Sequence, residues 1–84
     1  MKHFKYKIKL TTVVEDNQFF VLEQKLSNGE VIDEFRHGPF ESVFESELYC
    51  EQGTNYLKSK SQLKFAPGKS LLEYHGFLFI FPPP

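Results

Sequence analysis

The residues from His3 to Leu10 alternate strictly, with Phe4, Tyr6, Ile8 and Leu10 on one parity and His3, Lys5, Lys7 and Lys9 on the other. An extended chain sends successive side chains to opposite faces, so this stretch reads as a half-buried strand with one apolar and one basic face. The β-branched run Thr11-Thr12-Val13-Val14 prolongs it. Glu15-Asp16-Asn17-Gln18 is a turn signal, after which Phe19-Phe20-Val21-Leu22 resumes strand character. Ser27-Asn28-Gly29 then separates two further extended runs, and Asn-Gly is a strong hairpin signal because both residues tolerate positive φ. Three antiparallel strands are expected near 2–14, 18–26 and 30–36.

His37-Gly38-Pro39 ends this meander. Pro39 suits the first position of a helix, with Gly38 as cap and Glu41 in the first turn near the positive helix end. Ser42-x-x-Glu45 is an alternative capping box further on. Phe40, Val43, Phe44 and Leu48 form a helical stripe that Glu47 interrupts, and strand spacing competes. Glu and Ser are poor strand formers, which favours a helix over 39–51, with Gly53 as its terminator. Residues 54–61 read as a short helical turn or a loop. Residues 62–66 and 70–74 read as strands around a type II turn at Pro67-Gly68. His75-Gly76 turns the chain into Phe77-Leu78-Phe79-Ile80-Phe81, apolar on both parities and hence a central strand or a strand against another subunit. Pro82-Pro83-Pro84 ends pairing. The expected fold is α+β: one domain over 1–84 with a proline tail, a mainly antiparallel sheet in the order βββ-α-βββ and one helix on a face. A small β-barrel is the alternative.

At 84 residues the chain can bury about 60–65% of its unfolded surface, enough for one modest core and not for a large internal cavity. Its single cysteine, Cys50, forms no intrachain disulfide. No apolar leader opens the sequence, and the longest apolar run has five residues where a membrane helix needs about 20. A cytoplasmic protein with no membrane contact is expected.

Little in the chain suggests chemistry. His3, His37 and His75 are widely spaced and Cys50 lacks a local partner, whereas metal sites draw ligand pairs from one element; no metal is expected. Gly68-Lys69-Ser70 matches the end of a phosphate-binding loop, but Leu63 stands where that loop needs glycine, and Pro67 removes a backbone donor. The carboxylate pairs Glu15/Asp16, Asp33/Glu34, Glu41/Glu45 and Glu47/Glu51 lie in polar surroundings, unlike the sheltered pairs of acid–base catalysis. Neither catalytic nor cofactor-binding residues are expected.

Charge is distributed in blocks within a net charge of −1: residues 1–14 carry +4, residues 15–51 carry −8 and residues 52–84 carry +3. Adjacent blocks can neutralise one another across a sheet, at about 0–1 kcal/mol per exposed pair. The functional reading is an acidic face of Asp33, Glu34, Glu41, Glu45, Glu47 and Glu51 that docks on a basic protein partner, which could itself be a nucleic-acid-binding protein. The rival is a nucleic-acid module in which Lys5, Lys7 and Lys9 follow a phosphate backbone. Such platforms interleave aromatics on the same face, and here Phe4 and Tyr6 take the opposite parity. The leading expectation is a small non-catalytic binding protein of inhibitor, immunity or adaptor type, of the sort mobile elements carry. A homodimer is expected through Leu78 and Ile80. The Phe81-Pro82-Pro83-Pro84 end resembles short proline-rich ligands, though Phe81 suits the close of a core strand.

Overall fold

Two-residue turns set the register of the first half. In the computed structural model, which describes residues 6–81, β1 (Tyr6–Glu15), β2 (Gln18–Ser27) and β3 (Glu30–Phe40) form an antiparallel sheet in the order β1-β2-β3. Glu15 pairs with Gln18 across Asp16-Asn17, and Ser27 with Glu30 across Asn28-Gly29. All four turn residues have positive φ, between 50° and 83°, the twist that joins adjacent strands without splaying them. His3, Phe4 and Lys5, like the proline tail 82–84, lie outside the described residues.

Directly opposed residues share a face of the sheet. One face is built of Ile8–Lys25–Asp33, Leu10–Glu23–Phe35 and Thr12–Val21–His37. The helix α1 (Val43–Lys58) lies across it and touches all three strands. Leu57, Leu71 and Leu72 form the buried cluster, with Ile8, Leu10, Tyr49, Tyr56, Leu63, Phe65 and Phe77 packed around it. Ile8 and Leu10 thus turn inward as their parity requires, and Lys7 and Lys9 turn out.

The helix does not begin at Pro39. Pro39 belongs to β3, joined to Gly38 by a cis peptide bond, and Phe40 beyond it still pairs with Phe19. Gly38 has φ +121°, and an added Cβ would stand 3.0 Å from the Phe19 carbonyl, so the strand end needs glycine there. Ser42 is the helix cap: its Oγ accepts from Glu45 N–H at 3.1 Å while Glu45 Oε2 accepts from Glu41 N–H at 3.2 Å. The capping signature starts the helix, and the proline closes the strand.

Gly53 does not end the helix either; α1 runs through it to Lys58, with Ser59 as C-cap. Gly53 is buried, and a Cβ would lie 2.9 Å from Leu10 Cδ1 and 3.3 Å from Leu72 Cδ2. Glycine serves here to bring the helix close to β1.

The strands expected at 62–66, 70–74 and 77–81 do not form among the described residues, and the sheet stays open rather than closing into a barrel. The Pro67-Gly68 turn is present, closed by Lys69 N–H on the Ala66 carbonyl at 3.2 Å. Immediately after it comes a helical turn, α2 (Leu71–Tyr74), capped by Ser70 Oγ. Leu71 and Leu72 are 2% and 0% exposed. Extended backbone would point these neighbours in opposite directions, whereas a helical turn lets both reach one core. Residues 77–81 join no ladder; Phe77 and Phe79 lie against Tyr49, and Leu78 and Ile80 are exposed. The Gln52 amide stands in for a neighbouring strand, donating to the Ile80 carbonyl at 2.6 Å and accepting from its N–H at 3.0 Å. The α+β class with an antiparallel sheet and one packed helix is as the sequence implies; the second half of the sheet is replaced by this wrapped segment.

Candidate functional site

The most organised polar cluster surrounds Glu23, which is 2% exposed in the middle of β2. Its Oε1 receives the Ser70 hydroxyl at 2.7 Å and lies 3.0 Å from His37 Nε2; its Oε2 receives the Leu71 N–H at 2.6 Å. Burial alone would raise this carboxyl's pKa, but the bonds from His37, Ser70 and Leu71 outweigh it and hold the group below the usual carboxylate range. Glu23 is therefore an ionised buried group that fastens the start of α2 to the sheet.

This cluster does not activate a nucleophile. Ser70 and His37 both bond to Oε1, so the serine proton is directed to the carboxylate and the imidazole does not stand between them. Tyr49 stacks beside His37 with centroids 5.3 Å apart, and its phenol is pushed up to about 12 by burial and by the charges of Glu23 and Glu73. Cys50 is half-buried, donates to the Leu10 carbonyl at 3.2 Å and has its thiol pKa raised by burial, partly offset by Thr54. Among the described residues no group of three or more His, Cys, Asp and Glu is placed to hold a metal ion, and no helix is long and apolar enough to cross a membrane.

The six expected acidic contact residues divide into two groups. Asp33 is half-buried and accepts from Gly68 N–H at 3.3 Å, tying the 66–69 turn to β3, and Glu34 accepts from the Gln24 amide at 2.8 Å. Glu45, Glu47 and Glu51 lie along α1 and Glu41 just ahead of it, on a different element from Asp33 and Glu34 of β3. Glu45 serves the helix cap, and Glu41, Glu47 and Glu51 are exposed. Beside these acids Phe44 meets Phe81 edge-on at 6.4 Å, and Phe44, Leu78, Ile80 and Phe81 are 51–80% exposed. Lys7 and Lys9 are exposed on the edge strand β1, opposite Leu26 and Gln24, while Lys5 lies outside the described residues.

Comparison with protein-family models, with curated proteins and with solved structures finds no match for this chain.

Sequence reasoning missed the cluster of Glu23, His37 and Ser70. Its signal was faint: a glutamate on the same parity as Val21, in a strand whose other parity carries Phe20, Leu22 and Leu26. Taken alone, β2 points the more apolar parity inward. Pairing decided otherwise, because Glu23 is opposite Leu10 and Val21 opposite Thr12, and α1 covers that side.

Proposed function

We propose that this chain is a non-catalytic binding protein of inhibitor, immunity or adaptor type that covers a surface of a protein partner. The observation that carries this reading is the exposed apolar strip of Phe44, Leu78, Ile80 and Phe81 beside Glu41, Glu47 and Glu51. Large apolar side chains gathered on a small protein's surface mark interaction sites, and a charged rim selects the partner and speeds its approach. The matching partner has an apolar centre and a basic border, as the groove of a nucleic-acid-binding protein would. Asp33 and Glu34, engaged in the fold's own contacts, lie away from this strip and contribute to the partner's approach through charge only. A single half-buried thiol fits the cytoplasmic setting that belongs to the same proposal.

Two copies meeting through Leu78 and Ile80 are the homodimeric form of this reading; acids flanking both sides would make such a dimer stronger in salt. The nucleic-acid alternative rests on Lys7 and Lys9 and requires salt-dependent binding to a random oligonucleotide.

The test compares baits in one native lysate: wild type, Ile80→Asp, Glu47→Lys with Glu51→Lys, and Lys7→Ala with Lys9→Ala. The same partner should be held by wild type and the lysine variant and lost by the other two. Equal capture by all four removes the strip and its acids from the interface.

A further inference from the structure

Resting on the reading of a protein partner, we propose that an extended segment of that partner adds to the outer edge of β1 as a fourth, antiparallel strand. The segment carries lysine or arginine at two alternate positions and an acid three residues after the second.

The edge supplies the backbone. β1 pairs with β2 on one side only. Glu15 and Gln18 flank a two-residue turn and form a hydrogen-bonded pair, and such pairs alternate along the ladder. Val13, Thr11, Lys9 and Lys7 therefore bond to β2, while the N–H and C=O groups of Val14, Thr12, Leu10 and Ile8 face away. The Leu10 carbonyl confirms this phase, since it accepts the Cys50 thiol of α1 at 3.2 Å. Among the described residues the edge groups of Thr12 and Val14 have no partner. Lysines on an edge strand discourage pairing, and here Lys7 and Lys9 guard only the first half. Leu10 to Val14 is uncharged and mostly β-branched, and Val14 is 61% exposed.

The helix supplies the charge. A groove of about 340 Å³ beside this half of the edge is lined by Thr12 of β1 and by Glu47, Cys50, Glu51 and Thr54 of α1. Glu47 and Glu51 are one turn apart, about 6 Å along the helix axis, and alternate residues of a strand are about 7 Å apart. Two basic residues opposite Val14 and Thr12 share their face of the sheet and meet the two glutamates in step. On the other face the next charge met is Lys9, which favours an acid opposite it and opposes a further base.

The probe is the capped heptapeptide Thr-Lys-Val-Lys-Thr-Val-Glu, titrated into the full chain at low ionic strength and followed by backbone NMR. The Leu10, Thr12 and Val14 amides should shift and gain protection from exchange, and those of Thr11 and Val13, already bonded to β2, should change less. Exchanging the second lysine with the valine before it keeps the composition, moves one charge to the wrong face and should weaken binding about tenfold. Glu47→Gln with Glu51→Gln should weaken the original peptide by a similar factor, and both positions are exposed. In an antiparallel pair the lysine N–H groups point to β1, so N-methylation of both lysines should abolish binding, while N-methylation of the residues after them should be tolerated. Unmoved Thr12 and Val14 amides, equal binding of the exchanged peptide, tolerance of methylated lysines or indifference to the glutamine variant overturns the proposal. Such a failure leaves the apolar strip standing if Ile80→Asp still releases the lysate partner, whereas equal capture by all the lysate baits removes the strip reading itself.

Discussion

Glu23 of β2 and Ser70, 47 positions further along the chain, meet inside the protein with the serine hydroxyl 2.7 Å from the carboxylate. The same carboxylate takes the first N–H of α2 and the His37 ring. One side chain thus joins the sheet to the segment beyond α1, and it does so as an anion. A buried charge is tolerable when its oxygens are bonded, and a broken partnership is costly because the remaining groups stay buried and unsatisfied.

Glu23→Gln should lose about 3–5 kcal/mol of stability, as an amide offers donors where Ser70, Leu71 and His37 also donate. The acid response comes from the lowered pKa. The stabilisation is fully present above the ordinary carboxyl value of 4.5 and is lost as pH falls through the lower value of the folded state. Urea denaturation of both proteins across this range should show a steeper acid loss in wild type. Parallel curves below pH 4.5 would contradict the ionised clamp.

Gly53→Ala tests the close approach of α1 to β1. Alanine improves helix propensity by about 1 kcal/mol, but its Cβ would lie 2.9 Å from Leu10 Cδ1. The Leu10 and Leu72 side chains must shift, and a net destabilisation of about 1–2 kcal/mol is expected. Thermal unfolding measures it; a gain in stability would mean that the leucines yield freely.

Gln52→Ala removes both bonds to the Ile80 backbone. The Ile80 amide should exchange with solvent about tenfold faster, while amides in the middle of α1 keep their protection. Unchanged exchange at Ile80 would show that the aromatic contacts of Phe79 and Phe81 hold the segment without the amide.

Leu78→Asn with Ile80→Thr should leave the fold within about 0.5 kcal/mol of wild type, since these side chains are 80% and 71% exposed. Sedimentation equilibrium at high concentration should give a mass above 9.9 kDa for wild type and near 9.9 kDa for the variant. A wild-type mass of 9.9 kDa under the same conditions rules out the dimer.

Cys50 should react slowly with alkylating reagents at neutral pH, because burial raises the thiol pKa and its Sγ is held against the Leu10 carbonyl. Denaturant should restore the rate of a free cysteine. Rapid reaction of the native protein would show that this face of α1 opens from β1.

What the sequence determined by itself is the meander and the helix cap. Alternation in β1, the Asp16-Asn17 and Asn28-Gly29 turns and the Ser42–Glu45 signature act over a few residues and need no distant partner. Tertiary structure decided the rest. Pro39 went to the strand because Phe40 could still pair with Phe19. Gly53 stayed inside the helix because Leu10 and Leu72 close on it, and Leu71-Leu72 became a helical turn because both side chains had to enter one core. Glu23 entered the interior because its register partner was Leu10, and it could remain there only when Ser70 and Leu71 arrived from the other end of the chain. Local patterns carry no information about such arrivals, since a buried charge is acceptable only once distant donors surround it.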